Sequence, residues 1–281
     1  MLIGIGILLA IIGAIFVWLF IPYSPIEREF EKDIEGLQKE TEHDVKERFF
    51  GKDDFSNLPH AIQRYIDYCG YIGTPRMRYL RMEYRDVDFM MGRSGPAQKI
   101  DYTQYNFVLK PCRMALIDSR MFGVPFEGYD YYQNGTGGMK GVIAKAIPLF
   151  HQTGPEMDKA CLVTFLAESL FAPEILLQDY ITFEEISSYE VKAVISYGGQ
   201  TASGIFTFNE QCEFVCFTTN DRGVTNPDGT MEYVPWSAVC GEYRVSEAGV
   251  KHPTRFKAIW NYPDGDFVYF DGAISLVSYD E

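Results

Sequence analysis

Few positions in this sequence combine residue type and spacing in a way that could do chemistry. The four histidines, His43, His60, His151 and His252, form no HExxH motif and no close pair, so the two-histidine helix face of a zinc hydrolase is absent. Glu40-x-x-His43 is half of a carboxylate-bridged di-iron motif, but it has no second copy and sits in a charged stretch, where a solvated helix face is the plainer reading. Gly92-Arg-Ser-Gly95 is one residue short of a nucleophile elbow. A hydrolase would therefore need His151 or His252 to meet an acid and a nucleophile brought from distant strands. The six cysteines, Cys69, Cys112, Cys161, Cys212, Cys216 and Cys240, contain no CxxC. Cys212 and Cys216 in one strand would stand about 13 Å apart, too far for a mutual disulfide or a shared zinc. Were that segment helical, they could share a metal. Free, buried thiols are the simpler expectation.

Two further features invite a functional reading. Gly135-Thr-Gly-Gly-Met-Lys-Gly141 looks like a phosphate loop but matches neither the Walker pattern nor the dinucleotide fingerprint, because Lys140 stands where the third glycine belongs. A glycine-rich hairpin loop is expected instead. Glu168 lies in the apolar run Leu166-Ala-Glu-Ser-Leu-Phe171. A carboxylate there needs a partner or a raised pKa. It either caps a neighbouring segment or pairs with an arginine of the sheet, or it is a polar group at the mouth of a cavity. Glu156 and Glu174 follow prolines at helix starts, where acids suit the dipole.

These positions have to be held by something, and the composition bounds what. The chain has 281 residues, 47% hydrophobic and 23% charged, with a net charge of −14. That is globular, and an acidic balance without a basic cluster excludes nucleic acid as a partner. Leu2 to Ile21 is an uncharged apolar run reaching roughly 30 Å as a helix, the thickness of a bilayer's hydrocarbon core. Trp18 and Tyr23 lie near its end, as interfacial aromatics do. No basic residue precedes the run, and Phe16, Val17, Trp18, Leu19 and Phe20 make a poor cleavage site. The expectation is an uncleaved single-pass anchor over residues 1–23, with the bilayer as partner through residues 2–21. The following flank, Glu27 to Glu35, carries five acids and two bases, so the large domain is expected outside the cytoplasmic membrane.

Ile26, Phe30, Ile34, Leu37, Val45 and Phe49 fall near one helical stripe in an otherwise charged segment. Residues 24–54 thus read as an amphipathic juxtamembrane helix and linker, and the narrow stripe with Gly36 favours a solvated spacer over a packed helix. Leu58–Tyr68 is a second helix, with Pro59 in its first turn and Gly70 at its end. From Met77 the period becomes two: Leu80, Met82 and Tyr84 alternate with Arg81, Glu83 and Arg85. Tyr102–Leu109, Arg113–Phe122 and Phe126–Tyr132 continue it. Residues 154–178 are helical again, broken by Pro173. Strands resume from Val191 to Tyr279, with turn signals at Asn134-Gly135, Asn226-Pro-Asp-Gly229 and Tyr262-Pro-Asp-Gly265. About ten antiparallel strands with two or three helices give an α+β class. Residues 55–281 should form one curved sheet, a half-barrel around its helices.

Leu58-Pro59 with Ile62 and Arg64-Tyr65 opens a wider pattern. Gly128-Tyr-Asp-Tyr-Tyr132, Gly135-x-Gly137-x-Met139 and Pro148 follow, then Gly154-Pro-Glu-Met157 and Leu166-Ala-Glu-Ser169 with Pro173. Trp236, His252-Pro253 and Trp260 fit its later half. On these residues the chain resembles a bacterial family of unknown function. It departs where members often carry an arginine before the aspartate of the GYDYY stretch; Tyr129 stands there. The resemblance implies a fold similar to the half-barrels of lipoprotein-localisation factors, which hold acyl chains in a concave apolar face. Aromatics make up 15% of the chain, and a curved sheet with few helices would leave a lined groove. Tyr129, Tyr131, Tyr132, Glu168, Trp236 and Trp260 are the expected ligand-binding residues, for a lipid or other apolar ligand. A structural or interaction component of an envelope assembly is the alternative, and a hydrolase a third. No catalytic residue, metal or cofactor is assigned.

Overall fold

The computed structural model describes residues 2–42, 49–93, 95–225, 231–246 and 249–280. His43, Val45 and the Asn226–Gly229 turn lie outside the described residues. Helix α1 (Leu2–Phe20) carries no charge and leaves its apolar side chains uncovered by the rest of the chain. It is long and apolar enough to cross a membrane. Ile21-Pro22-Tyr23 interrupts it, and Ser24 caps the next helix, α2 (Pro25–Thr41), by accepting from the Glu27 amide at 3.0 Å.

The main sheet has thirteen strands, three more than the roughly ten expected. It consists of two meanders. The first runs β1 (Tyr79–Phe89), β2 (Gln98–Phe107), β3 (Cys112–Met121), β4 (Val124–Gln133), β5 (Thr136–Ile143) and β6 (Ile147–Thr153). The second runs β7 (Ile181–Ser187), β8 (Glu190–Tyr197), β9 (Gln200–Phe208), β10 (Phe214–Thr219), β13 (Trp236–Val245), β14 (Lys251–Tyr262) and β15 (Gly265–Tyr279). A small separate ribbon, β11 (Gly223–Thr225) with β12 (Met231–Tyr233), interrupts it. The meanders join at the sheet's centre, where β1 pairs antiparallel with β15 from Leu80↔Tyr279 to Phe89↔Phe270.

The far edges, β6 and β7, are linked by a helical crossing: α4 (Pro155–Ala167) and the short 3-10 turns Ser169–Phe171 and Pro173–Leu177. Ala160 to Phe165 are nearly all buried, and the apolar character runs round the whole helix, as a helix enclosed by sheet requires. The sheet curls around this crossing, and α3 (His60–Cys69) joins it on the same concave side. The curl is tight enough that two hairpin turns from opposite flanks touch. A Cβ on Gly135, between β4 and β5, would fall 2.6 Å from the Gly198 Cα, between β8 and β9. Both glycines have positive φ, so no other residue fits either place without a shift.

Within the 24–54 segment expected to be a solvated spacer, α2 is instead a packed helix. Ile26, Phe30, Ile34 and Leu37 are buried against Tyr79, Phe107, Met114 and Tyr129 on the convex face of the sheet. Those strands are buried on both faces and present apolar side chains outward, so the stripe had a surface to meet. Nor is 135–141 a loop. Gly135 does sit in the hairpin turn, but Gly137, Gly138 and Gly141 belong to strand β5, and Gly137 admits the Cys161 side chain of α4, which a Cβ would meet at 2.8 Å.

Candidate functional site

The alternation of β2 places Tyr102, Gln104 and Asn106 on the concave face, and the neighbouring strands add Arg113 (β3) and Asp130 (β4). Glu168 reaches them from the C-terminal end of α4. Its Oε2 accepts from Gln104 Nε2, Asn106 Nδ2 and Arg113 Nε, each at 2.9 Å. Arg113 Nη1 donates to Asp130 Oδ2 at 2.7 Å, and Nη2 donates to the Tyr102 hydroxyl. Arg113 and Glu168 are each only 3% exposed. The pairing of Glu168 with a sheet arginine anticipated from sequence is thus present, inside a wider network.

A buried ion pair needs its remaining donors and acceptors satisfied to offset desolvation. Here burial works against the guanidinium charge, but Glu168, then Tyr102 and Asp130, carry the Arg113 pKa well above its usual value. Burial pushes the neighbouring Tyr84 and Tyr102 hydroxyls up, so both stay protonated. Cys161, 3.8 Å from Asp130, is pushed up in the same way and is held as a thiol.

This network forms one wall of a cavity of about 120 Å³. Arg222 adds to that wall. It donates to the Ala160 carbonyl at 2.7 Å and to Thr164 Oγ1, and its guanidinium lies 5.0 Å from the Trp236 ring and 5.8 Å from that of Trp260. The facing wall is aromatic: Tyr84, Phe89, Trp236, Phe256, Tyr269 and Phe270. The cavity is therefore polar on one side and apolar on the other.

Of the residues anticipated from sequence, Glu168 and Trp236 line this cavity, and Trp260 meets it through Arg222. Tyr132 is buried on the same concave face, its hydroxyl without a partner among the described residues. Tyr129 and Tyr131 point the other way. Tyr129 donates to Asp33 Oδ2 of α2 at 2.8 Å, and the Tyr131 hydroxyl sits 3.2 Å from His151 Nε2. Strand alternation separates what the sequence had grouped. Arg113, Asp130, Gln104, Asn106 and Arg222 were not singled out from sequence. The available signal was the period-two polar run Gln104, Asn106 within an aromatic strand.

A larger hollow of about 760 Å³ opens elsewhere, where the β14–β15 ladder ends at Arg255↔Ala273. Beyond that pair β15 continues along β1 while β14 continues along β13. Met77, Val250, His252, Ile274, Val277 and Tyr279 line the gap, and the Ser246 and Ser278 hydroxyls are buried there without a partner among the described residues. Burial holds His252 below its usual pKa, and its Nδ1 lies 3.0 Å from the Pro253 carbonyl. Neither His151 nor His252 hydrogen-bonds a carboxylate among the described residues. All six cysteines are free; Cys212 lies in the turn before β10 and Cys216 within it. No group of three His, Cys, Asp or Glu side chains converges as a metal site among the described residues.

Residues 48–272 match the model of a family of unknown function, DUF6544. The chain belongs to that family. Among solved structures it is similar to the domain of a putative outer membrane lipoprotein-sorting protein from Vibrio parahaemolyticus. That match has a TM-score of 0.38 and 8% identity, covering 72% of this chain and 84% of that one. It is also similar to a DUF1329 family protein from Desulfovibrio piger, with a TM-score of 0.42 and 11% identity, covering 83% and 94%. No curated protein matches the sequence.

Proposed function

We propose that this DUF6544 chain is a membrane-tethered binding domain, outside the cytoplasmic membrane, that takes the end of an amphipathic ligand into its concave face. The observation that carries the reading is the two-walled cavity, with aromatic rings facing a buried Arg113–Glu168–Asp130 network. Its volume is near the roughly 150 Å³ of a cavity that admits benzene and below the roughly 300 Å³ at which drug-sized pockets begin. The helices fill most of the concavity that the sequence reading left open. The cavity thus suits a chain end or a small ring with one polar group; a whole acyl chain would have to continue outside it.

The tether is supported by α1's length and apolarity, and by contacts that would be purposeless in a removed leader. The Trp18 indole donates to the Ala144 carbonyl at 2.8 Å, and Lys145 Nζ donates to the Ile21 carbonyl at 2.7 Å. The acidic flank supports the outside orientation.

Native mass spectrometry of the full chain, released from mild detergent, tests the ligand. A retained lipid-like mass is expected, and it should disappear in Ala258→Leu, which fills the cavity without deleting a contact. No adduct in the wild type, or an adduct indifferent to Ala258→Leu, refutes it.

The gap between β14 and β15 favours a second reading, an interaction component that accepts an added strand. Photo-crosslinkers at Ser275 and Thr254 in the native membrane should then capture a second copy or a partner. Silence from both positions counts against it.

A further inference from the structure

We infer that the domain itself seats in the bilayer surface through the β3–β4 and β5–β6 turns. This rests on α1 being a membrane anchor but concerns a different part of the molecule. The two turns lie at the same end of the sheet, since Ser119↔Phe126 and Phe126↔Ile143 are successive pairs across three strands. That end is also where α1 emerges. The Trp18 indole donates to Ala144, Lys145 donates to Ile21, and the Arg120 guanidinium lies 5.5 Å from the Phe20 ring. A contact at Trp18 is three residues below Ile21, so the β5–β6 turn dips to the depth of the helix's own interfacial tryptophan.

The side chains displayed there are the wrong ones for water. Phe122 is 97% exposed at the tip of the β3–β4 turn, and Ile147 and Leu149 are exposed on β6 just past the neighbouring turn. Phe122 also has φ +52 and is followed by Gly123 at φ +82. Two-residue hairpins with both central φ positive strongly prefer Asn-Gly, and a bulky aromatic in the first place is an outlier. An exposed phenylalanine kept next to a membrane helix, at a position whose backbone disfavours it, suits the headgroup–acyl boundary. Arg120 and Lys145 flank it with the positive charge that this boundary tolerates.

The test reconstitutes the full chain in phosphatidylcholine vesicles with chains brominated at shallow or deep carbons. In the wild type, the bromine-quenched fraction of the fluorescence reports Trp18 and the anchor, since Trp236 and Trp260 are buried inside the sheet. Phe122→Trp adds a fluorophore at the turn, and a second component quenched preferentially by shallow bromines is expected. Quenching in the wild type with no added component in the variant overturns the seating while leaving the anchor intact. Loss of Trp18 quenching overturns the anchor instead. Phe122→Asn supplies an independent arm, because it suits the turn. It should raise the thermal midpoint in detergent yet make the 120–124 amides exchange at least several-fold faster in vesicles. Unchanged vesicle exchange also overturns the proposal.

Discussion

The two faces of strands β2 to β4 are both buried, yet by different physics. On the concave face an arginine, two carboxylates and two amides share hydrogen bonds in a place water hardly reaches. On the convex face four apolar side chains of α2 lie on Met114, Tyr129 and Phe107, and the charges stay at the rim: Lys140 with Glu29 at 2.6 Å, and Tyr129 with Asp33. The concave arrangement is cooperative, because each member is desolvated on the assumption that the others are present. The convex one is a sum of nearly independent contacts. A helix held that way separates without disturbing the sheet, whereas the network cannot lose a member quietly.

The sharpest way to break this contrast is Glu168→Ala. It leaves Arg113 buried with Asp130 as its one remaining carboxylate partner, and denaturant titration should show a loss of about 3–5 kcal/mol; a loss below about 1 kcal/mol would mean that the site is hydrated and the contrast false. Phe30→Ala should remove about 3 kcal/mol, but locally. Hydrogen exchange should speed up in residues 25–41 while β7 to β10 keep their protection. Uniform destabilisation of the sheet would make α2 part of the core rather than a separable layer. Tyr129→Phe deletes one hydroxyl that donates to a carboxylate and should weaken α2 docking by about 1.5 kcal/mol. Larger losses would tie the rim into a network of its own.

The smallest effect is in pH, and its sign differs between the faces. Burial raises the Glu127 pKa, although Ser24 donates to it at 2.6 Å at the α1–α2 junction. A raised carboxylate contributes stability that is complete below its ordinary value and lost as pH rises through the folded one. Asp221 ties α4 to β9 and is held low: burial opposes this, but hydrogen bonds from Lys159 and Ser203 outweigh it. Its contribution is present at neutral pH and fades as pH falls through that lowered value. Acidification should therefore raise protection factors over residues 20–28 and lower them over 155–162. A common direction would show that neither group governs its junction.

The sequence displayed the period-two strands, the helical break at 154–178 and the apolar first helix because each rests on local periodicity. It displayed the site badly for a related reason. In β2 the aromatic positions Tyr105 and Phe107 look like the inward stripe, and Gln104 and Asn106 look like the wet one. The opposite holds, since α2 covers the outer face and Glu168 awaits the inner one. Alternation identifies two faces without saying which is inside, and a strand buried on both sides removes even that asymmetry. The added edge strands β6 and β7 were hidden because Ile147–Thr153 and Ile181–Ser187 are mostly exposed, with little apolar pattern to read.

The touching hairpins at Gly135 and Gly198 carry a mechanical consequence. The two flanks meet there through bare backbone, with no ladder between them, so the curl is latched but not sewn. Prising that latch apart sacrifices van der Waals contact and no strand pairing, which leaves this rim free to gape while every ladder of the sheet stays intact.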